Sequence, residues 1–167
     1  MGKKIYMNLE EITLIIEDSL NMLLKVDTHL FLNDISERSL CARWMFHLQN
    51  LMPEWDVDVE YNRDGHDPKR LGLDEACANR FDSNGMSFVV PDLIIHKRGP
   101  EGPNLLVAEV KKTTNLKSRN CDHKRVVAFC NEFGYRYGAV IELETRVDHE
   151  RSEERRVGKE CEAWCRS

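Results

Sequence analysis

The sequence contains no C-x-x-C pair, no H-x-x-x-H pair and no apolar run approaching the roughly 20 residues needed to span a bilayer. The first two absences remove the usual frames for zinc or dithiol chemistry, and the third removes a membrane-spanning helix. The opening MGKKIYMNLEE carries two lysines but no apolar h-region, so a secretory signal is not expected and the expected location is the cytoplasm. An excess of positive charge is also lacking. Lys and Arg number 24 against 29 Asp and Glu, a net charge of -5. That balance argues against non-specific coating of duplex nucleic acid, which is driven by cationic side chains displacing counterions, though it allows a local basic groove. There are no internal repeats, and the six cysteines, at 41, 77, 121, 130, 161 and 165, read as buried thiols.

What is present is a chain of 167 residues, 41% hydrophobic and 32% charged, the size and composition of one globular domain. The reading places that domain at residues 1–150. Residues 151–161, RSEERRVGKEC, resemble the in-frame translation of a sequencing adapter, so residues 151–167 are read as a non-native tail.

Ile12, Ile16, Leu20 and Leu23 or Leu24 recur at helical spacing, predicting an amphipathic helix from Leu9 to about Lys25. A second helix is signalled by a polar start at 33–36, an apolar stripe of Leu40, Trp44, Leu48 and Leu51, and Pro53 beyond its end. EWDVDVEYN alternates as a half-exposed strand, and the polar, glycine-punctuated stretch from Asn62 to Gly85 reads as a long excursion with a substrate-facing or lid task. SFVVPDLIIH and NLLVAEVKK, separated by KRGPEGP, predict a hairpin. A helix around 122–133 and a last strand in YRYGAVIELE complete the order helix, helix, strand, strand, strand, helix, strand. That order predicts an α/β fold, a mixed sheet with helices on its faces.

Polar residues that interrupt apolar strands carry the chemistry. Glu109 and Lys111 are two apart and so share a strand face, and Asp92 breaks the preceding run. If the hairpin pairs, Asp92 and Glu109 meet near one end, where two repelling carboxylates call for a shared proton or a cation. Mg²⁺ (or Mn²⁺) suits such a site, since a hard ion takes one or two carboxylates and leaves its other positions to water and phosphate.

Pro91 and Asp92, followed seventeen residues later by Glu109-Val110-Lys111, resemble the PD-(D/E)XK nuclease superfamily. The stretches ISERSL, WDVDVEYNRDG, PDLIIH and EVKKTTN also resemble a group of small bacterial proteins within it, over about residues 32–144. The resemblance implies a restriction-endonuclease-like core of helix-strand-strand-strand-helix-strand, here with an extra N-terminal helix. It further implies Asp92, Glu109 and the backbone carbonyl of Val110 as metal ligands, with Lys111 steadying the attacking water or the phosphate charge. Some members add a carboxylate from the first core helix, the place matched by Glu37. Glu37 equally fits a capping box with Asp34, and both explanations stand.

Lys69, Arg70 and Lys112 are second-rank candidates for holding substrate phosphates, and His66 and Asp67 belong to the same loop. His96 reads as an ordinary satisfied histidine. The expected function is metal-dependent hydrolysis of DNA or RNA phosphodiesters. The alternative is an inactive nuclease-fold module that binds nucleic acid or protein, which the acidic charge favours. The expected partners are nucleic acid, a second copy of the chain or a separate protein, and no membrane.

Overall fold

A computed structural model describes residues 7–64, 67–73, 77, 82–99, 102–115, 119–146 and 161–165. The chain begins with α1 (Leu9–Val26), α2 (Thr28–Leu32) and α3 (Glu37–Leu51). Next come β1 (Asp56–Val59), the short bridges β2 (Arg63–Asp64), β3 (Asp67–Pro68), β4 (Arg70–Leu71) and β5 (Ser87–Phe88), then β6 (Leu93–His96) and β7 (Asn104–Lys112). It closes with α4 (Arg119–Phe133), β8 (Tyr137–Leu143) and β9 (Cys161–Cys165).

Five strands form one mixed sheet in the order β1-β6-β7-β8-β9. β6 and β7 are the expected antiparallel hairpin, whereas β7 and β8 run parallel, which a two-residue turn cannot connect and the helix α4 does. β7 divides the molecule into layers. Its residues Leu106, Ala108 and Val110 join the core made with α1 and α3, and Val107 joins the second core made with Val126 and Phe129 of α4. The same alternation sends Glu109 and Lys111 toward α4.

Three local contacts fix the ends and spacing of the helices. Asn8 caps α1, accepting from the Glu11 N–H while the Glu11 carboxylate accepts from the Asn8 N–H. Buried Trp44 on α3 donates its indole N–H to Ser19 Oγ of α1 at 2.8 Å, so the helices are joined by a hydrogen bond inside their apolar seam. Gly138 lets α4 lie directly on β8, because a Cβ there would come within 2.3 Å of Val126 Cγ1.

Two expectations change. The cap of α3 is Ser36, whose Oγ accepts from the Ser39 N–H at 3.2 Å, so Asp34 and Glu37 form no capping box. Asp34 instead sits at positive φ before the helix and accepts from Thr145, Lys112 and Arg146. Cys77 and Cys121 form a disulfide rather than two thiols, an outcome that requires spatial proximity across 44 residues of sequence. Cys41 and Cys130 are not disulfide-bonded.

Residues 151–160 lie outside the described residues, but β9 pairs its backbone antiparallel with β8. An open strand edge offers alternating N–H and C=O groups to any extended segment, so this pairing requires no particular sequence. No helix among the described residues is long and apolar enough to cross a membrane.

Candidate active site

The site arises from a difference in strand length. β7 has nine residues and β6 has four, and their pairing ends at Leu93 opposite Ala108. Beyond Ala108 the edge of β7 that faced β6 is open. Two carboxylates take its N–H groups: Asp92 Oδ2 accepts from Val110 N at 2.7 Å, and Glu37 Oε1 accepts from Lys112 N at 2.8 Å. A residue's N–H and C=O leave a strand on the same edge, so the Val110 carbonyl also projects into this fork.

Asp92 occupies the position just before β6, where Pro91 precedes the strand without a backbone donor to complete. Glu109 points from β7 toward α4 and is only 3% exposed. Burial pushes its pKa up to about 8, reinforced by the Asp92 charge and opposed by Arg125. Burial likewise pushes the Asp92 carboxyl up to about 6, against the stabilising Val110 N–H and the Arg125 charge, with Glu37 and Asp122 adding repulsion. The buried Cys41 thiol, on α3, is raised by burial and by the charges of Asp92, Glu37 and Glu109. These mutual influences gather Glu37, Asp92, Glu109 and Asp122 into one acidic neighbourhood.

Two residues of α4 complete it. Arg125 donates from Nε and Nη2 to Glu109 Oε2 at 3.2 and 2.8 Å, and Nη2 also donates to Asp122 Oδ1. Lys111, 5% exposed, donates from Nζ to Asp122 Oδ2 at 2.9 Å. The other Glu109 oxygen, Oε1, is buried without a hydrogen-bond partner among the described residues. An unmet oxygen inside a protein is costly and marks a place for an ion or water.

Asp92, Glu109 and Lys111 lie in one neighbourhood, Asp92 acting on Glu109 by its charge and Lys111 linked to Glu109 through Asp122 and Arg125. Glu37 takes a place at the same fork, from the other face of the sheet. Asp122 and Arg125 were not expected from the sequence. Asp122 lies four residues before Val126 and seven before Phe129, on the buried stripe of its helix, and an inward carboxylate at that spacing was the available signal. Among the described residues, no three His, Cys, Asp or Glu side chains are close enough together to hold a metal ion. Asp92 is near enough for its charge to raise the Glu109 pKa, and the Val110 N–H donates to Asp92.

The second-rank residues separate. Lys69 is 4% exposed, donates to Tyr135 Oη at 2.8 Å and lies against the rings of Tyr61, Phe133 and Tyr135, so it fastens the long excursion to the core. Arg70 is at the surface, over the exposed Phe88 ring. Lys112 points away from Lys111 and binds Asp34 Oδ1 at 2.9 Å, beside a polar depression of about 320 Å³ that Glu37, Thr114, Asn115 and Arg146 also line. His96 is satisfied by Asp58 at 2.8 Å. His66 lies outside the described residues.

No family model matches the chain, and neither curated proteins nor solved structures gave a match.

Proposed function

We propose that this chain is a Mg²⁺- or Mn²⁺-dependent phosphodiesterase acting on DNA or RNA, with a PD-(D/E)XK site on a restriction-endonuclease-like fold. The observation that carries the reading is the β6/β7 fork. Two carboxylates with raised pKa values enter it from adjacent strands, and one of their buried oxygens has no partner among the described residues. Hard oxygen donors that repel one another suit a small divalent cation. Asp92, Glu109 and the Val110 carbonyl would hold it, with Glu37 alongside.

When bound, such a metal lowers the pKa of a water and neutralises charge on the phosphoryl oxygens. The chain's own groups do the positioning. Val110 N–H fixes the Asp92 carboxylate, and Arg125 fixes that of Glu109. Lys111 adds a positive charge on the same strand face as Glu109, and Asp122 sets where that charge sits. The Val110 N–H and the Lys111 ammonium are held before substrate arrives, so these two groups need little reorganisation during reaction.

A second reading is favoured by one observation: Arg125 already provides Glu109 with a counter-charge, as expected of a nuclease-fold module that binds nucleic acid or protein without cutting. Incubation with single-stranded, duplex and branched DNA and RNA in Mg²⁺ or Mn²⁺ separates the two. The nuclease reading expects cleavage that is lost in Asp92→Ala and strongly reduced in Lys111→Ala. Cleavage unchanged in both variants would sink it.

A further inference from the structure

Four buried or half-buried charges form a chain across the β7/α4 seam. Lys111 binds one oxygen of Asp122, Arg125 binds the other, and Arg125 continues to Glu109. Asp122 thus lies between two cations, and Arg125 between two carboxylates. Their exposures differ in a telling way: the Glu109 and Asp122 side chains are 4% and 10% exposed, whereas Arg125 keeps 22% of its side chain in contact with solvent. The arginine can therefore shift without opening the core, and the carboxylates cannot.

The contacts on Glu109 are one-sided. Both guanidinium nitrogens reach Oε2, while Oε1 has no partner among the described residues. A guanidinium and a divalent cation on one carboxylate repel each other at close range in a medium of low dielectric constant. Full metal binding at Glu109 therefore opposes the Arg125 contact, and Asp122 supplies a second anchor onto which the guanidinium can settle. Resting on the metal-site reading above, we infer that Arg125 is the resident counter-cation of the site. A divalent metal and its guanidinium compete for Glu109, so the Asp122–Arg125 pair sets the metal affinity. Arg125 is in this sense a positioning residue that offsets part of the fork's negative charge until metal enters.

The competition is read by titrating Mn²⁺ into the full chain by calorimetry at pH 8.5, where protons compete less for the carboxylates, with thermal unfolding followed in parallel. Arg125→Gln should bind Mn²⁺ at least tenfold more tightly than the parent, and Arg125→Lys, a weaker and non-bidentate cation, should fall between them. Both variants should be less heat-stable without metal and should gain more from Mn²⁺ than the parent does. Should Arg125→Gln not fold, Arg125→Lys alone decides: a Tm gain no larger than the parent's overturns the proposal. Unchanged or weaker affinity in the arginine variants, while Asp92→Asn and Glu109→Gln abolish binding, overturns the competition and leaves the metal site standing. Parent-like affinity in Asp92→Asn and Glu109→Gln overturns the metal-site reading, and the competition with it.

Discussion

Arg125 holds Glu109 through one carboxylate oxygen only, at 2.8 Å from Nη2, and leaves the other oxygen buried without a partner among the described residues. A fully compensated ion pair would engage both oxygens, as a bidentate guanidinium does. The half-made pair is the feature on which a structural role and a catalytic role for this cluster diverge.

Stability of the metal-free protein should fall as pH rises. Asp92 is raised from 3.8 to about 6 and Glu109 from 4.5 to about 8. The folded state therefore binds more protons than the unfolded state between those values. The stabilising contribution is fully present below about pH 4 and is lost by about pH 8. While a group titrates, the slope approaches about 1.4 kcal/mol per pH unit. Urea unfolding from pH 4 to 9 measures it, and Glu109→Gln should flatten the upper part of the curve. A parent profile that rises across that range would contradict the assigned shifts.

Removing Asp122 should cost more than removing Lys111. Asp122→Ala leaves two cations in the seam without their shared carboxylate, which costs about 3 kcal/mol or more, whereas Lys111→Ala leaves Asp122 paired with Arg125. Equal destabilisation in denaturant unfolding would show that the shared carboxylate is not the keystone of the cluster.

For activity the order should reverse. Lys111→Ala should reduce cleavage by about 10²-fold or more, as loss of one preorganised charge at a phosphoryl site does, with folding retained. Single-turnover cleavage by protein of verified fold provides the measurement, and a loss below about threefold would place Lys111 outside the chemistry.

Gly138→Ala tests the packing that brings α4 to the site. The added methyl would meet Val126 Cγ1 at 2.3 Å, so α4 must move or the core must strain, at about 1–3 kcal/mol. Weaker metal binding in the same variant would link helix position to Asp122 and Arg125.

The Cys77–Cys121 bond closes a separation of 44 residues and should stabilise the oxidised protein by about 4 kcal/mol on the chain-entropy estimate. Cys77→Ser should therefore lower the Tm under oxidising conditions and change little in dithiothreitol. Cys121 adjoins Asp122, so reduction should also alter Mn²⁺ affinity. A thiol compartment such as the cytoplasm expected from the sequence would keep such a bond labile or regulatory. Equal Tm values for parent and variant in both conditions would show that the bond does not form.

What was legible in the sequence followed from periodicity. The helical stripe of Leu40, Trp44 and Leu48 and the alternation around Glu109 and Lys111 state which face is buried, and each element needs only its own residues to do so. Long-range pairings were not legible. Asp34 resembles a helix-capping residue by spacing alone, but its partners are Lys112 and Thr145, far along the chain. Lys69 looks like a phosphate-gripping loop lysine until Tyr61, Phe133 and Tyr135 surround it. The Cys77–Cys121 bridge and the Arg125 contact to Glu109 belong to the same class, set by tertiary packing.

Asp92 and Glu109 are proposed to share a divalent cation at the β6/β7 fork, and metal binding tests this without knowledge of the substrate. Calorimetric titration of Mn²⁺ at pH 7, in two buffers of different ionisation enthalpy, measures affinity and proton release together. Binding should be accompanied by proton release, because both carboxyls are held above their ordinary pKa in the metal-free protein, and both effects should be lost in Asp92→Asn and Glu109→Gln. Absence of binding in the parent, or binding of equal affinity in those variants, would contradict it.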